Sequence, residues 1–448
     1  MAISCGDVQL KNKCLDLLYE CCFHMNLDIK EVWNVYVVLL NQLFVDDQAR
    51  ITGTIDKLYQ LIFQRILESV TIPCEPVDSL RSNLVILVTN QFLNAMHSPT
   101  RRILDYAYAL NQNLHKSVLI VNSACYHNYR HDYIVQDFMY SFDESFNGFQ
   151  SLEWKNAEIS FMQIPVLMPD INCINDTLLK LYKLQPQLVY GIGDSNLLTD
   201  LCSAFTKTAC IKCGSEMPVS MSEYLLLGRH LVEGDGEFIA RLQPYQKVIE
   251  TKINYQVPEE DSVYYDRSSF GLKEEDFVIG VVGNRLNSEV TKEFLYVLDQ
   301  MADKLKVHIL LIGDIEAKRI QDAVRNRENF HFSGQIVHAF YAMKVFDIYC
   351  NPKRKGGGRS SFEALANGVP VITLRYGDVY HTCGDFFAVD QLEDFLPKIE
   401  ELRENEEIRA LWKKESYKRA GILSDIAGTQ KAVLDQIFGD NAEKKIRG

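Results

Sequence analysis

The sequence lacks any apolar run of the roughly 18–20 residues that a membrane-spanning helix needs. Near its start, Asp7 and Lys11 stand where a secretory signal would be apolar. Neither an integral membrane protein nor an exported one is favoured by these features. The sequence therefore predicts a cytoplasmic protein.

A long basic tract is also missing, and the formal net charge is -13 at pH 7. This acidic balance argues against a nucleic-acid partner. The 12 cysteines are irregularly spaced, and the Cys-x-x-Cys pair of Cys210 and Cys213 has no second pair at a matching distance. Both a disulfide framework and a zinc site are thereby disfavoured, so we expect reduced, mostly buried thiols.

The chain has 448 residues, of which 47% are hydrophobic and 24% charged. Such a length exceeds one ordinary core, so several globular domains are expected. The pattern predicts a helical domain over 1–78, Rossmann-like domains over 79–250 and 251–420, and a helical segment over 421–448. The predicted fold class is α/β.

Residues 1–78 carry apolar side chains at helical spacing, and Asp28 with Glu31 forms a cap-like pair ahead of the second apolar stretch. Three helices are predicted, the third from Ile55 to Leu67. Packing onto the next domain is the favoured role. Binding of an acceptor protein and homodimerisation through these helices remain alternatives.

Two series of short apolar runs alternate with helical patterns, which is typical of parallel sheets. Residues 215–262 between the two series are predicted to form helices and a polar linker. The predicted strands are Leu84–Thr89, Ser117–Val121, Glu158–Met162, Leu188–Tyr190, Phe277–Val282, His308–Gly313, Phe330–Gly334 and Phe346–Cys350.

A glycine run, Gly356–Gly358, follows the last of these strands. Ser360 or Ser361 is predicted to cap the next helix, with Glu363 in its first turn. A helix N-terminus beside a glycine loop favours an anion, and a plain connection with solvated charges is the alternative. Glu363 could accept hydrogen bonds from a ribose diol or merely suit the helix dipole. The nearby cations are Lys353, Arg354, Lys355 and Arg359.

This stretch resembles the donor-binding half of nucleotide-sugar glycosyltransferases with two facing Rossmann domains, the GT-B fold. It is most similar to the large retaining family four and its bacterial relatives. At one position it departs from them, because Lys355 stands where that family usually has a second glutamate. The residues that carry the resemblance are Pro352, Gly356-Gly357-Gly358, Ser361, Glu363-Ala364, Gly368-Val369-Pro370-Val371-Ile372-Thr373 and Tyr376-Gly377-Asp378-Val379.

The resemblance implies transfer of a hexose, in the first instance glucose from UDP-glucose, to a glycan or glycoprotein in bacterial surface-glycan assembly. It also implies a last helix that crosses back to the first Rossmann domain, and no metal cofactor. Arg285 matches the arginine that neutralises the leaving diphosphate, Lys292 is a candidate for its lysine partner, and Glu363 matches the ribose ligand. The donor loops would be Gly283 and Asn284, together with Lys355, Gly356, Gly357, Gly358, Arg359, Ser360 and Ser361.

The resemblance implies that loops of the first Rossmann domain face the cleft between the two domains. Asn90 or His97 would there touch the donor phosphates or the acceptor, and Gly193 is a further candidate in a cleft loop. Three other functions remain open. A UDP-sugar epimerase uses the same paired architecture, and a non-catalytic subunit would use residues 1–78 to bind a partner enzyme. An NAD enzyme rests on Gly191-x-Gly193, although Asn196 stands where the third fingerprint glycine belongs.

Overall fold

The computed structural model describes residues 7–46, 48–73, 75–78, 82–94, 97–125, 143–166, 168–258, 263–336 and 338–446. Contacts divide the chain into two compact units. The first unit comprises Met1–Lys252 with Ile426–Gly448, and the second comprises Ile253–Asp425. Within the described ranges, no helix combines the length and apolar character needed to cross a membrane.

The first unit begins with three helices, α1 (Val8–His24), α2 (Ile29–Val45) and α3 (Ile55–Leu67). The predicted pair at the start of α2 is a capping box, in which the Asp28 carboxylate accepts from the Glu31 N–H and the Glu31 carboxylate accepts from the Asp28 N–H. Homodimerisation through these helices stays a prediction. Leu10 and Leu17 of α1 are among the apolar side chains that these helices leave exposed.

An eight-stranded sheet follows in the same unit, with strand order β3-β4-β2-β1-β5-β6-β7-β8. Its neighbours pair in parallel except β3 and β4, which are antiparallel. Its elements are β1 (Leu84–Thr89), α4 (Ser98–Tyr108), β2 (Ser117–Asn122), β3 (Gly148–Trp154), β4 (Ala157–Gln163), α5 (Ile171–Lys183), β5 (Leu188–Ile192), α6 (Leu197–Leu201), β6 (Lys207–Ile211), β7 (Tyr224–Leu227), α7 (Gly236–Ile239) and β8 (Lys247–Glu250).

The second unit contains a six-stranded parallel sheet with strand order β11-β10-β9-β12-β13-β14. Its apolar strands belong to one continuous core. Its elements are β9 (Val278–Gly283), α8 (Leu286–Glu289), α9 (Lys292–Leu305), β10 (His308–Gly313), α10 (Ala317–Ala323), β11 (Phe330–Gly334), α11 (Ala339–Ala342), β12 (Ile348–Cys350), α12 (Gly358–Ala366), β13 (Val371–Leu374), α13 (Gly377–Cys383), β14 (Ala388–Val389), α14 (Phe395–Glu404) and α15 (Glu406–Ser424).

A last helix, α16 (Ile426–Ile446), belongs to the first unit. Helices cover both faces of the sheet in this unit. Strand β1 contributes to the core on each face, because successive side chains of a strand point to opposite faces. Ile86 and Val88 share a core with α1–α3, whereas Val85 and Leu87 share one with α4 and α16. The helices α1–α3 therefore pack onto the first sheet.

Two parallel-sheet, Rossmann-like units with an N-terminal helical region confirm the predicted fold class. The helices predicted across 215–262 are wrong in part, since β7 and β8 lie there. Each has four residues, too few for apolar periodicity to separate strand from helix. Strand β3 was not predicted, because its hairpin turns at Lys155 and Asn156, both at positive φ, without the usual glycine.

Candidate active site

The carboxyl ends of β9, β10 and β12 meet at one edge of the second sheet. Strand β9 lies between the other two, with Gly283 as its last residue and Gly313 opposite it on β10. Gly313 has φ +132°, and a Cβ there would collide with the backbone of Gly283. Open α/β sheets bind ligands at such carboxyl ends.

The glycine loop leads directly into α12, whose N-cap is Gly357 with φ +93° and no side-chain cap. The predicted capping by Ser360 or Ser361 is wrong. Both serines lie inside the helix and donate backward, from the Ser360 Oγ to the Gly357 carbonyl (3.0 Å) and from the Ser361 Oγ to the Gly358 carbonyl (2.8 Å). Neither Gly357 nor these two serines caps the first-turn N–H groups of α12, and the N-terminus of a helix is where an anion is favoured.

Two glycines of the loop are required by the protein's own packing. A Cβ on Gly357 would lie 2.6 Å from Cζ of Arg354, and one on Gly358 would lie 2.5 Å from the Tyr255 hydroxyl and 2.7 Å from Thr382 Oγ1. These distances are far below ordinary contact. The loop therefore packs tightly against other residues of the second unit, and this packing holds it in one conformation.

Arg354 is the residue beneath the loop, and its side chain is 4% exposed. It was predicted as one of several cations around the loop, but its guanidinium is buried and fully engaged. Nε donates to Asn351 Oδ1 (2.8 Å), and Nη2 donates to the Val282 carbonyl (3.0 Å) and the Tyr349 hydroxyl (2.9 Å). These bonds tie the glycine loop to the ends of β9 and β12.

The Arg354 charge is balanced by Glu289 at the end of α8, with 2.8 Å between Arg354 Nη1 and Glu289 Oε2. The same carboxylate accepts from Arg285 through its other oxygen, with Nη2 at 3.1 Å and Nε at 3.2 Å. The predicted diphosphate arginine and the glycine loop thus share one carboxylate. Glu289 was missed, although its i, i+4 spacing from Arg285 was visible in the sequence.

The turn itself consists of Gly283, Asn284 and Arg285. A Cβ on Gly283 would lie 2.6 Å from Arg354 Nη1, so this glycine also packs on the buried guanidinium. Asn284 is exposed. Lys292, the candidate lysine, lies exposed in the first turn of α9, and within the described ranges it forms no ion pair with Glu289. The structure therefore gathers Gly283, Arg285 and the glycine loop but does not join Lys292 to them.

Glu363 lies in the second turn of α12, because that helix begins at Gly358; its predicted place in the first turn is wrong. It is 9% exposed, and its Oε1 accepts from Arg359 Nε at 2.9 Å. Arg359 Nη2 is buried without a hydrogen-bond partner in the described part of the chain. A buried guanidinium donor without an acceptor is costly, so it favours a ligand oxygen at this position.

Lys355 and Gly356 complete the loop. The Lys355 carbonyl accepts from the Asp378 N–H (2.7 Å), which seats the loop against the start of α13. Gly377 stands at that start with φ +68°, where a Cβ would lie 2.8 Å from the same carbonyl. Gly356 is buried. The Lys355 side chain is half-buried.

In the first unit, Asn90 and Gly193 lie together at the carboxyl ends of β1 and β5. Asn90 is 2% exposed, and its Nδ2 donates to the carbonyls of Asp194 (3.0 Å) and Ser195 (3.2 Å). Its Oδ1 accepts from Ser123 Oγ at 3.0 Å. Asn90 is thus a structural link between two loops in this structure, and contact with an acceptor remains a prediction.

His97 precedes α4 and is largely buried. Burial lowers the pKa of His97 to about 4, so the ring is neutral at pH 7. Its Nδ1 lies 2.9 Å from Thr100 Oγ1, and that oxygen already accepts from the Leu93 N–H. The neutral ring and the Thr100 hydroxyl therefore share one hydrogen bond, whose direction depends on the ring tautomer.

The dinucleotide-like loop after β5 is filled by its own side chains. Asn196 is fully buried, and its Oδ1 accepts from the Thr199 N–H as the N-cap of α6. Cys210 is buried in β6, and its thiol donates to the Gly193 carbonyl of this loop at 3.5 Å. Within the described residues, no group of three or more His, Cys, Asp or Glu side chains could hold a metal ion.

Residues 276–405, from the start of β9 to α14, match the family model described as Glycosyl transferases group 1. A search of curated proteins gave no match to this sequence. Among solved structures, the chain is similar to a mutant O-GlcNAc transferase of Thermobaculum terrenum, with a TM-score of 0.64 at 13% identity over 98% of this chain and 82% of that one. The chain is therefore a transferase with the GT-B fold.

Two further solved structures are similar to this chain in fold. Anabaena HepE, in complex with UDP and glucose, gives a TM-score of 0.55 at 11% identity over 79% of this transferase and 99% of that chain. The pneumococcal O-GlcNAc transferase GtfA, in complex with UDP and GlcNAc, gives 0.50 at 11% identity over 79% and 99%. At these identities the likeness establishes the fold, and the family match covers residues 276–405.

Proposed function

We propose that this transferase moves a hexose, glucose, from UDP-glucose to a glycan or glycoprotein acceptor, with retention of the anomeric configuration. One observation carries the proposal. The turn with Arg285 and the glycine loop before α12 share the Glu289 carboxylate at the carboxyl edge of the second sheet. A cation and an uncapped helix N-terminus are thereby held at the same edge, where a diphosphate needs them.

The chemistry requires stabilisation of the leaving nucleotide, because the departing diphosphate gains negative charge as the glycosidic bond breaks. Arg285 and the N–H groups at the start of α12 would supply it. Such prearranged donors act more strongly on the transition state than on the bound donor. No step of this account needs a metal, and we propose that cationic side chains do this electrostatic work.

The sugar nucleotide would also contact α12. We propose that Glu363 accepts from the ribose hydroxyls and that the partnerless Nη2 of Arg359 donates to the donor. Lys355 would bind the donor in place of the glutamate usual at that position in family four. UDP with a hexose is supported by the ligands of two similar structures, UDP with glucose in HepE and UDP with GlcNAc in GtfA.

The acceptor is proposed to be a glycan or glycoprotein of a bacterial surface, glycosylated in the cytoplasm. The O-GlcNAc transferases among the similar structures support transfer of a sugar to an acceptor oxygen. Free thiols at the ten described cysteines are consistent with a reducing compartment. Asn90 and His97 of the first unit are the proposed acceptor-side residues.

A panel of UDP-, GDP- and ADP-sugars, with NAD included, tests this function by thermal shift and by release of free sugar. Stabilisation by UDP-glucose with slow release of glucose is the expected result, and NMR of the released sugar reports the anomer. Free UDP with an altered sugar and no need of an acceptor would instead indicate an epimerase. No response to any nucleotide sugar would indicate a non-catalytic subunit, and a response to NAD alone would move the site to the loop after β5.

A further inference from the structure

Both oxygens of the Glu289 carboxylate are occupied by cations from two different turns. Oε1 accepts from Arg285 Nη2 (3.1 Å) and Nε (3.2 Å), and Oε2 accepts from Arg354 Nη1 (2.8 Å). The Glu289 side chain is only 10% exposed. Charge-assisted bonds of this kind are about twice as strong as neutral ones.

The three side chains differ in how firmly they are held. Arg354 is 4% exposed and is fixed by Asn351, Val282 and Tyr349 in addition to Glu289. Arg285 is 27% exposed and is bonded to the other oxygen of Glu289. Arg354, beneath the glycine loop, is therefore the most firmly held of the three. Because Glu289 is bonded to Arg354, it restricts the movement of Arg285 in turn.

The charges also favour an anion at Arg285. Two guanidinium groups share one carboxylate, so these three side chains together carry a formal charge of +1. Arg354 is enclosed and already bonded, and it is Arg285 that has access to solvent. The pair therefore presents one cation in a fixed place, which lowers the entropy lost when an anion binds.

We propose that Glu289 is a positioning residue for the donor diphosphate, holding Arg285 in its binding orientation by anchoring it to Arg354. This inference rests on the proposed function, because it takes the anion at Arg285 to be the diphosphate of a nucleotide sugar. Glu289 itself does not touch the donor. Its effect on binding passes entirely through Arg285.

The test is a double-mutant cycle on the full chain, with UDP as the probe and titration calorimetry as the readout. Glu289→Asp keeps the charge but withdraws the carboxylate by one methylene, so it cannot reach both arginines. We expect it to weaken UDP binding about tenfold, the effect of one lost charge-assisted contact. In the Arg285→Ala background the same change is expected to cost nothing further.

Arg267→Lys is the matched control. Arg267 pairs with Asp347 at 2.9 Å in the same unit, at the opposite end of β12, and the substitution likewise keeps charge while altering an ion pair. It is expected to lower the unfolding temperature without changing UDP affinity. Should Glu289→Asp not fold, Glu289→Gln replaces it, and the coupling to Arg285→Ala is the measured quantity.

The outcomes separate the two hypotheses. If Arg285→Ala weakens UDP binding but Glu289→Asp binds UDP like the wild type, the positioning role is overturned and the proposed function stands. An equal loss from Glu289→Asp in both backgrounds also overturns it, because Glu289 would then act through the loop. A wild-type chain that binds no UDP overturns the proposed function together with this inference.

Discussion

Replacing Gly357 by alanine probes the rigidity of the glycine loop. The residue has φ +93°, a left-handed conformation that costs an L-residue about 1–2 kcal/mol. The new Cβ would also lie 2.6 Å from Cζ and 2.7 Å from Nη2 of Arg354. That guanidinium cannot withdraw without breaking its bonds to Asn351 and Glu289.

Overpacking of this kind typically adds about 1–3 kcal/mol, so we expect Gly357→Ala to destabilise the second unit by about 2–5 kcal/mol in total. Movement of Arg354 would also release Glu289 and, with it, Arg285. UDP affinity should therefore fall together with stability. Urea denaturation measures the first effect, and calorimetric titration with UDP measures the second.

Gly421→Ala supplies the control in the same unit. Gly421 lies in α15, and a Cβ there would meet nothing within 4 Å. The same change is expected to stabilise the protein by about 0.5–1 kcal/mol and to leave UDP binding unchanged. A Gly357→Ala protein as stable as the wild type, with unaltered UDP affinity, would refute the rigid loop.

Three further predictions concern single side chains. Arg285→Ala is expected to raise the barrier to release of glucose from UDP-glucose by about 2–4 kcal/mol, measured as kcat/KM for hydrolysis; near-wild-type turnover would remove Arg285 from the site. Glu363→Gln should weaken UDP-glucose binding without changing the unfolding temperature. If the affinity is unchanged, Glu363 does not bind the ribose and its role is limited to the ion pair with Arg359. Because the pKa of His97 falls from 6.5 unfolded to about 4 folded, wild-type stability should drop as the pH is lowered through that window. His97→Asn should flatten this dependence in thermal unfolding, and an unchanged slope would assign it to other groups.

The sheets were predictable because buried parallel strands appear as continuous apolar runs. Leu84–Thr89 and His308–Gly313 end at the observed residues for this reason. The glycine run after a predicted strand likewise indicated the carboxyl edge of the second sheet, where we propose that the donor binds. These features depend on local composition, which a single sequence displays directly.

The contacts of Arg354 and Glu289 beneath the glycine loop could not be predicted from local composition. Arg354 stands between two lysines, so its sequence context indicates a solvated charge, whereas the fold buries it against Gly283 and Gly357. The start of α12 was misplaced because no side chain caps it, and sequence rules for helix starts depend on that cap. Glu289 acquires its role only when β9 and β12 become neighbours in the sheet.

The most direct test of the central claim is to locate the bound nucleotide sugar by hydrogen–deuterium exchange, comparing the chain with and without UDP-glucose. The account predicts slower exchange in residues 283–289 and 354–363, the Arg285 turn and the glycine loop. Two results would contradict it: slower exchange confined to residues 191–196, or unchanged exchange in both 283–289 and 354–363 at saturating UDP-glucose.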